Sequence, residues 1–287
     1  MTESSRTDPV PAASEGQGPR LLCIGAHPDD CEAKAAGLGA LWTANGGAVR
    51  FLAVTDGSAG HQQLAGAALA RRRGAEAKAA AAAVGADSVI LDNQDGSLMP
   101  TLENRLKIIR AIREFRPDVI ATHRINDYHP DHRYTGLLVQ DSCYMVMVPN
   151  VLPTVPVPPK EPVVVLMYDK FTKPNEIQPD LVIDIDSVIE QKLDSFTCHV
   201  SQVEEWMPWM SGTTDEIPAD PQARRAYFRD TCYVSVESQQ AAARFRGALV
   251  AKYGPERGGN VKYAEVFEIS EYAAGLDPER TKALFPF

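Results

Sequence analysis

Short apolar runs alternate with longer segments of helix-forming composition over the first half of the chain. The runs end at Gly or at a polar residue, and a segment of helical length follows each of them. The predicted strands are 21–25, 49–55, 89–91 and 118–122, and the predicted helices are 31–45, 64–84, 102–115 and 133–147. Strands that alternate with helices of this length form βαβ units, so the sequence predicts an α/β fold with a mostly parallel sheet.

The second half of the chain is less regular. Six prolines within 149–162 exclude a helix or a central strand there. Beyond them we predict strands 163–168, 181–185 and 263–269, helices 187–202 and 239–253, and a loop over 206–222. No clear boundary separates two domains, so the prediction is a single domain over 20–287 with a variable second half. Residues 1–19 are rich in Ser, Pro, Glu and Gly and are predicted to form a disordered tail.

Composition excludes several classes of protein. The 287 residues are 44% hydrophobic and 23% charged, which excludes a mostly disordered chain. The formal net charge of −9 argues against nucleic acid or an anionic membrane as the main partner. The longest apolar runs, such as 163–168, are too short to span a bilayer. No secretion signal is recognisable, and five scattered cysteines without a C-x-x-C pair favour a cytoplasmic protein with reduced thiols. Self-association into a homo-oligomer is left open.

Four of the six histidines lie in two short segments that directly follow predicted strands. Residues 26–30 read Ala-His-Pro-Asp-Asp after the first strand, and residues 123–132, with three histidines, follow the fourth. The carboxyl ends of parallel strands meet at one edge of a sheet, so both segments are expected on the same rim. The tetrads His-Pro-Asp-Asp and His-Pro-Asp-His each combine an imidazole, a rigid turn and a carboxylate, which are metal-site groups.

A catalytic zinc site takes three N or O ligands from the protein and keeps one position for water. His27 and Asp30 are three residues apart at a turn into a helix, so both can reach one point, and His132 completes the set. A single histidine at a strand end is more often a hydrogen-bonded structural residue. The clustering of His and Asp in two βα loops nevertheless favours metal binding, by Zn²⁺ or another divalent cation.

Two residues beside the candidate ligands remain for catalysis. Asp29 lies next to the metal as a base toward water, and His129 lies on the opposite flank as a donor. Asp131 or Asp127 is placed to orient His129. The alternative for Asp29 is a helix N-cap, a common role for Asp at a helix start.

The motifs extend beyond the tetrads. They are Gly25-Ala26-His27-Pro28-Asp29-Asp30, Thr55-Asp56-Gly57, Arg73 with Glu76, and His129-Pro130-Asp131-His132. In this order they resemble the LmbE-like, or PIG-L, family of zinc-dependent N-deacetylases that act on N-acetylglucosaminyl compounds. The resemblance covers about 21–147 and implies a Rossmann-like three-layer sandwich.

The resemblance also implies a role for each matching residue. His27, Asp30 and His132 would be the zinc ligands and Asp29 the general base. A charged His129 would stabilise the oxyanion, tuned by Asp131, and either it or protonated Asp29 would supply a proton to the leaving amine. Arg73 would contact a sugar hydroxyl.

Other residues near the expected site are open to two interpretations. Asp56 and Asp95 could bind the substrate, although both lie in turn-forming sequences. Trp206 and Trp209 could stack on a sugar face or a hydrophobic aglycone, or they could pack internally. Cys31 stands where many family members have Glu, which bears on substrate choice. A small buried residue is the favoured interpretation of Cys31, and a fourth metal ligand is the alternative.

The predicted function is therefore zinc-dependent removal of the N-acetyl group from an N-acetylglucosamine-type conjugate, a small-molecule amino-sugar substrate. One alternative is a zinc hydrolase of another amide or ester. A nucleotide-binding module is disfavoured because the first βα turn has no G-x-G-x-x-G. A non-catalytic metal-binding scaffold is disfavoured because Asp29 and His129 would have no function in it.

Overall fold

The buried apolar runs form the strands of one seven-stranded sheet. A computed structural model describes residues 18–287. The strands are β1 (Arg20–Gly25), β2 (Ala48–Thr55), β3 (Asp87–Asn93), β4 (Val119–Thr122), β5 (Val163–Met167), β6 (Leu181–Asp184) and β7 (Ala264–Ile269). Their order is β3-β2-β1-β4-β5-β7-β6, and β7 runs antiparallel to both of its neighbours while the other pairs are parallel. The predicted α/β class and mostly parallel sheet are confirmed.

Helices cover both faces of the sheet. They are α1 (Asp30–Ala44), α2 (Gly66–Ala83), α3 (Leu102–Phe115), α4 (Pro130–Ser142), α5 (Ile189–Thr197), α6 (Met207–Ser211), α7 (Pro221–Thr231), α8 (Tyr233–Arg244), α9 (Arg246–Asn260) and α10 (Pro278–Leu284). Side chains of β1 alternate between the two faces: Leu21 and Cys23 pack with α1, whereas Leu22 and Ile24 pack with α3 and α4. This burial on both faces makes the architecture the predicted three-layer sandwich.

The first half of the chain follows its sequence pattern closely because its signals are local. The α3 helix has the predicted bounds: Thr101 caps its first turn through Asn104 N–H, and Arg116, in the left-handed region at φ 54°, ends it before Pro117. The helix predicted over 133–147 instead ends at Ser142, and a 3₁₀ turn, Met145–Met147, follows.

The second half differs more from prediction. The predicted loop 206–222 contains α6, and α7 begins at its end, with Asp220 capping that helix and Pro221 at its first position. The predicted helix 239–253 is two helices that meet at Phe245. A π-helical turn, Ser201–Trp206, links the α5 region to α6. The α6 helix has only five residues, and α7 buries a single side chain, Phe228, so no apolar run in the sequence indicated them.

The predicted tail, 1–19, lies outside the described residues except for Gly18 and Pro19. Among residues 18–287, no helix is both long enough and apolar enough to cross a membrane.

The connections at the centre of the sheet diverge. From β1 the chain proceeds to β2 and β3 on one side, whereas β4 is followed by β5 on the other side. Ligands bind parallel α/β sheets in the crevice where the strand order reverses in this way. The loops that leave β1 and β4, residues 26–29 and 123–129, meet there.

Candidate active site

Three side chains, those of His27, Asp30 and His132, meet between the β1 and β4 loops. His27 Nδ1 lies 3.2 Å from His132 Nε2. Asp30 reaches both imidazoles, with Oδ2 at 3.5 Å from His27 Nδ1 and Oδ1 at 3.3 Å from His132 Nε2. Donors 2.0–2.1 Å from a tetrahedral zinc ion are about 3.4 Å apart. The three side chains predicted as ligands are thus of the right chemistry and close enough together to share a divalent cation. His123 and His129 lie close enough to belong to alternative groups, Asp30 with His123 and His132, and His27 with His129 and His132.

The remaining imidazole nitrogens face carboxylates. His27 Nε2 lies 3.1 Å from Asp95 Oδ1 and 3.3 Å from Asp131 Oδ2. His132 Nδ1 lies 3.1 Å from Asp127 Oδ1. Metal-binding histidines usually donate their second N–H to a carboxylate in this way, which directs the lone pair of the other nitrogen to the metal. Both lone pairs here would then point at one position.

The electrostatics of this cluster favour positive charge. Burial alone would lower the pKa of His27, but hydrogen bonds with Asp131, Asp30 and Asp95 outweigh it and raise the pKa well above its usual range. Burial would likewise raise the pKa of Asp30, yet the charges of His132 and His123 hold it well below its ordinary value. A buried site with such an excess of carboxylates is suited to a cation.

Asp30 is held in place by further contacts. Its Oδ2 accepts a hydrogen bond from the backbone N–H of His27 at 2.7 Å and lies 3.1 Å from His123 Nε2. His123 stacks on His132, with ring centroids 4.2 Å apart. His123 thus contacts both Asp30 and His132, and the three form a buried group that could also hold a cation.

Asp29 has a strained backbone and a buried partner. Its φ of 131° is a backbone conformation that residues with a side chain rarely adopt. Its carboxylate caps no backbone N–H of α1. Instead Oδ2 accepts a hydrogen bond from the Arg73 guanidinium at 2.9 Å. Burial raises the pKa of Asp29 to about 6, although Arg73 acts in the opposite direction. A carboxyl group with such a pKa is suited to proton transfer near neutral pH.

His129 has a defined tautomer. Its Nδ1 accepts a hydrogen bond from the backbone N–H of Asp131 at 3.1 Å as the N-cap of α4. The proton of a neutral imidazole must then be on Nε2. Burial and the neighbouring His27 and His132 lower the pKa of His129. The geometry thus favours a neutral Nε2–H donor over the charged imidazole that the resemblance implied.

The structure places Asp131 and Asp95 against His27. Asp131 Oδ2 also accepts a hydrogen bond from Gly96 N–H at 2.8 Å, and the carboxylate affects His129 only through its charge. Asp95 Oδ2 accepts hydrogen bonds from the backbone N–H groups of Ala59 and Gly60. Burial would raise the pKa of Asp95, but His27 and these bonds lower it to about 2.

The other predicted substrate-binding residues are engaged within the protein. Arg73 is buried, and besides Asp29 it donates hydrogen bonds to the carbonyl oxygens of Pro28 and Gly57. Asp56 accepts hydrogen bonds from the backbone N–H groups of Ser58 and Asp95, so it joins two loops. Their contact with a sugar stays a prediction.

Cys31 lies away from the donor cluster, the name used here for His27, Asp30 and His132. Its Sγ is buried and points to the backbone carbonyls of Cys23 and Leu52 in the core. Burial raises the pKa of its thiol well above the usual value. The favoured interpretation of a small buried residue agrees with this position.

The cluster opens into a pocket of about 810 Å³. One side holds His27, Asp29, Asp30, His129 and His132, with Arg73 and Asp95 beside them. The opposite side comes from 196–233, which includes Trp206 stacked on Trp209 with ring centroids 5.3 Å apart. Of the two tryptophans predicted near the site, Trp206 lines the pocket. The other residues of this side could not be predicted from the sequence because they are dispersed over several short helices.

Comparison with known proteins agrees with a site of this class. The family model described as PIG-L, GlcNAc-PI de-N-acetylase, matches residues 22–143. The chain is 31% identical over 198 residues to the diacetylchitobiose deacetylase of Thermococcus kodakarensis, which covers 66% of this chain and 73% of that protein. The chain therefore belongs to the PIG-L, or LmbE-like, family, a family of N-deacetylases.

Solved structures share the fold. The N,N'-diacetylchitobiose deacetylase from Pyrococcus horikoshii aligns with a TM-score of 0.68 at 22% identity, over 89% of this chain and 85% of that one. The 4-carboxy-2-hydroxymuconate hydratase GalB from Pseudomonas putida has the same TM-score at 19% identity, over 90% and 99% of the two chains. Similarity at this level shows the fold alone, since the same architecture carries a deacetylase and a hydratase.

Proposed function

We propose that this protein removes the N-acetyl group from an N-acetylglucosamine-type conjugate, with Zn²⁺ or another divalent cation held by His27, Asp30 and His132. The approach of two imidazole nitrogens to 3.2 Å, each with a carboxylate at its other nitrogen, carries this proposal. With the other nitrogen of each ring facing a carboxylate, these two nitrogens can share either a proton, as in a hydrogen bond, or a bound cation. The sequence similarity to a diacetylchitobiose deacetylase supports the amino-sugar substrate.

A divalent cation bound there would supply Lewis-acid chemistry, polarising the amide carbonyl and lowering the pKa of bound water to about 7. Asp29 acts as the general base and takes a proton from the water that attacks the acetyl carbonyl. Its hydrogen bond to Arg73 holds the carboxylate in one orientation, and its pKa of about 6 suits both accepting and returning a proton.

His129 donates to the developing oxyanion from Nε2. Its tautomer is set by Asp131 N–H, so the donor is present before substrate binds. A neutral imidazole can fill this role because the hydrogen bond strengthens as charge accumulates on the oxygen. Protonated Asp29 then supplies the leaving amine with its proton, and acetate and a free amino sugar are released.

Acetate release from N-acetylglucosamine and N,N'-diacetylchitobiose by zinc-loaded protein tests the proposal. We expect acetate and free amine in equal amounts, loss of activity after chelation, and recovery on adding Zn²⁺. Acetate release that persists in protein shown to be metal-free would contradict the metal dependence. Hydrolysis confined to other amides or esters would favour the broader zinc-hydrolase alternative.

A further inference from the structure

The pocket continues well beyond the donor cluster, into a region of different chemistry. We call this region the apolar wall and define it by Phe196, Val203, Trp206, Met207, Met210 and Phe228. None of these six side chains carries a charge, and the same stretch also contributes polar side chains to the lining, among them Gln202, Thr213 and Tyr227. Resting on the proposed function, we propose that the substrate carries a bulky apolar aglycone on its amino sugar and that the apolar wall binds this group.

The size of the pocket supports a substrate larger than a single sugar. Its volume of about 810 Å³ lies in the upper part of the range that holds drug-sized ligands. The proposed reaction removes acetyl, which has only two carbons. The space that remains therefore belongs to the amine side of the amide, that is, to the sugar and its substituent.

The chemistry of the apolar wall argues against a second sugar as its main occupant. A sugar can stack on an aromatic face such as that of Trp206, but its hydroxyls need hydrogen-bond partners. The aliphatic side chains of Val203, Met207 and Met210 offer none and bind apolar groups by removing both surfaces from water. Met210, at the mouth of the pocket, is 58% exposed without an occupant. Lys34, which also lines the pocket, is already paired with Asp169 and Glu237 at 2.9 Å and 2.7 Å, so its charge is balanced within the protein.

The apolar wall is held in position by polar contacts behind it. Arg72 on α2 makes two hydrogen bonds to Glu205, at 2.8 Å and 2.6 Å. Glu76, on the same helix, accepts hydrogen bonds from both the backbone N–H and the hydroxyl of Ser201. Because α2 also carries Arg73, the wall is fixed relative to Asp29. A preformed apolar surface binds a ligand without the loss of conformational entropy that ordering a mobile surface would require.

The test uses the zinc-loaded protein and β-glycosides of N-acetylglucosamine from methyl to octyl, each below its micelle concentration. Each methylene that reaches the apolar wall should raise kcat/KM about fourfold. Octyl has seven more methylenes than methyl, so it should exceed methyl by roughly tenfold even if only two of them reach the wall. The kcat/KM for N,N'-diacetylchitobiose should be nearer to that for the methyl glycoside than to that for the octyl glycoside. N-octanoylglucosamine, with the same chain on the acyl side, should be cleaved more slowly than the octyl glycoside.

Met210→Gln should lower the octyl-to-methyl ratio of kcat/KM by about threefold or more, because it places an amide in the apolar wall. Met99→Gln is the matched control, since Met99 is similarly exposed, at 55%, and does not line the pocket. It should leave the ratio unchanged.

Acetate release at equal kcat/KM from the methyl and octyl glycosides would overturn the inference while leaving the proposed function intact. Preference for N-octanoylglucosamine would also overturn it, because the wall would then hold an acyl chain. Release of acetate from none of the compounds would contradict the proposed function, and the inference with it.

Discussion

The two sides of the pocket are built in opposite ways. The side with the donor cluster comes from short loops at the ends of β1, β3 and β4, and its polar side chains are buried and hydrogen-bonded to one another. The apolar wall comes from a π-helical turn and short helices within 196–233. Its uncharged side chains range from the buried Phe196, Val203 and Phe228 to the exposed Met210. The two sides are joined by a few polar contacts behind them.

This difference separates two tasks. Loops at the centre of a parallel sheet can hold charged groups in a fixed, buried arrangement, which water activation requires. Short helices packed at the margin can change their side chains without disturbing that arrangement. We therefore expect substitutions on the first side to affect the reaction itself, and those on the apolar wall to affect the choice of substrate.

His132→Ala should have the largest effect on the reaction. It removes one of three donors, so the protein should no longer hold stoichiometric zinc, and acetate release should fall by on the order of 1,000-fold or more. Metal analysis after gel filtration, with an acetate assay, measures both. His61→Ala is the control because His61 bonds Glu205, away from the donors. Retention of one zinc per chain in His132→Ala would refute the ligand assignment.

Asp29→Asn should come next. The amide keeps the shape of the side chain but cannot take a proton, so kcat should fall by roughly 100- to 10,000-fold while bound zinc remains. Steady-state acetate release and metal content distinguish this result from loss of the site. A variant that keeps more than a tenth of the wild-type kcat would show that Asp29 is not the base.

Lys192→Met tests how the two sides of the pocket are joined. Lys192 on α5 is buried and donates to Glu265 at 2.6 Å and to Ala33 O of α1 at 2.8 Å. Its removal leaves the buried Glu265 carboxylate without a cation, with only the backbone N–H groups of Gly37 and Leu38 as partners. The free energy of unfolding in urea should therefore fall by about 3–5 kcal/mol. Arg72→Gln, which breaks a partly exposed ion pair, should cost less than about 1 kcal/mol. Equal losses of unfolding free energy in Lys192→Met and Arg72→Gln would show that the buried Lys192–Glu265 pair contributes no more than the partly exposed one.

Asp127→Asn should have the smallest of these effects. Zinc affinity, measured by competition with a chelator, should fall by about 10- to 100-fold because His132 loses its charged partner. Asp92→Asn offers a matched control, since Asp92 is exposed and pairs with Lys107, away from the donor cluster. Unchanged affinity in Asp127→Asn would mean that His132 is oriented by packing alone.

Much of the fold and of the donor cluster could be predicted from local signals. A strand ending in Gly, followed by His-Pro-Asp-Asp, is recognisable without knowing what lies next to it. The second half resisted prediction because α7 has few buried side chains and the break at Phe245 lies inside continuous helix-forming sequence. Its boundaries depend on how these helices pack against α5 and β7.

By itself, the sequence determined the βα alternation, the residues of the donor cluster and the strand ends where they lie, because periodicity and turn chemistry are local properties of the chain. Only the tertiary structure decided which carboxylate lies beside which imidazole. Asp95 and Asp131 approach His27, and Asp127 approaches His132, because the order of the strands brings the β3 and β4 loops to the β1 loop. The tertiary structure also determined which residues form the apolar wall, because they are separated in sequence and meet only when the short helices pack beside the site.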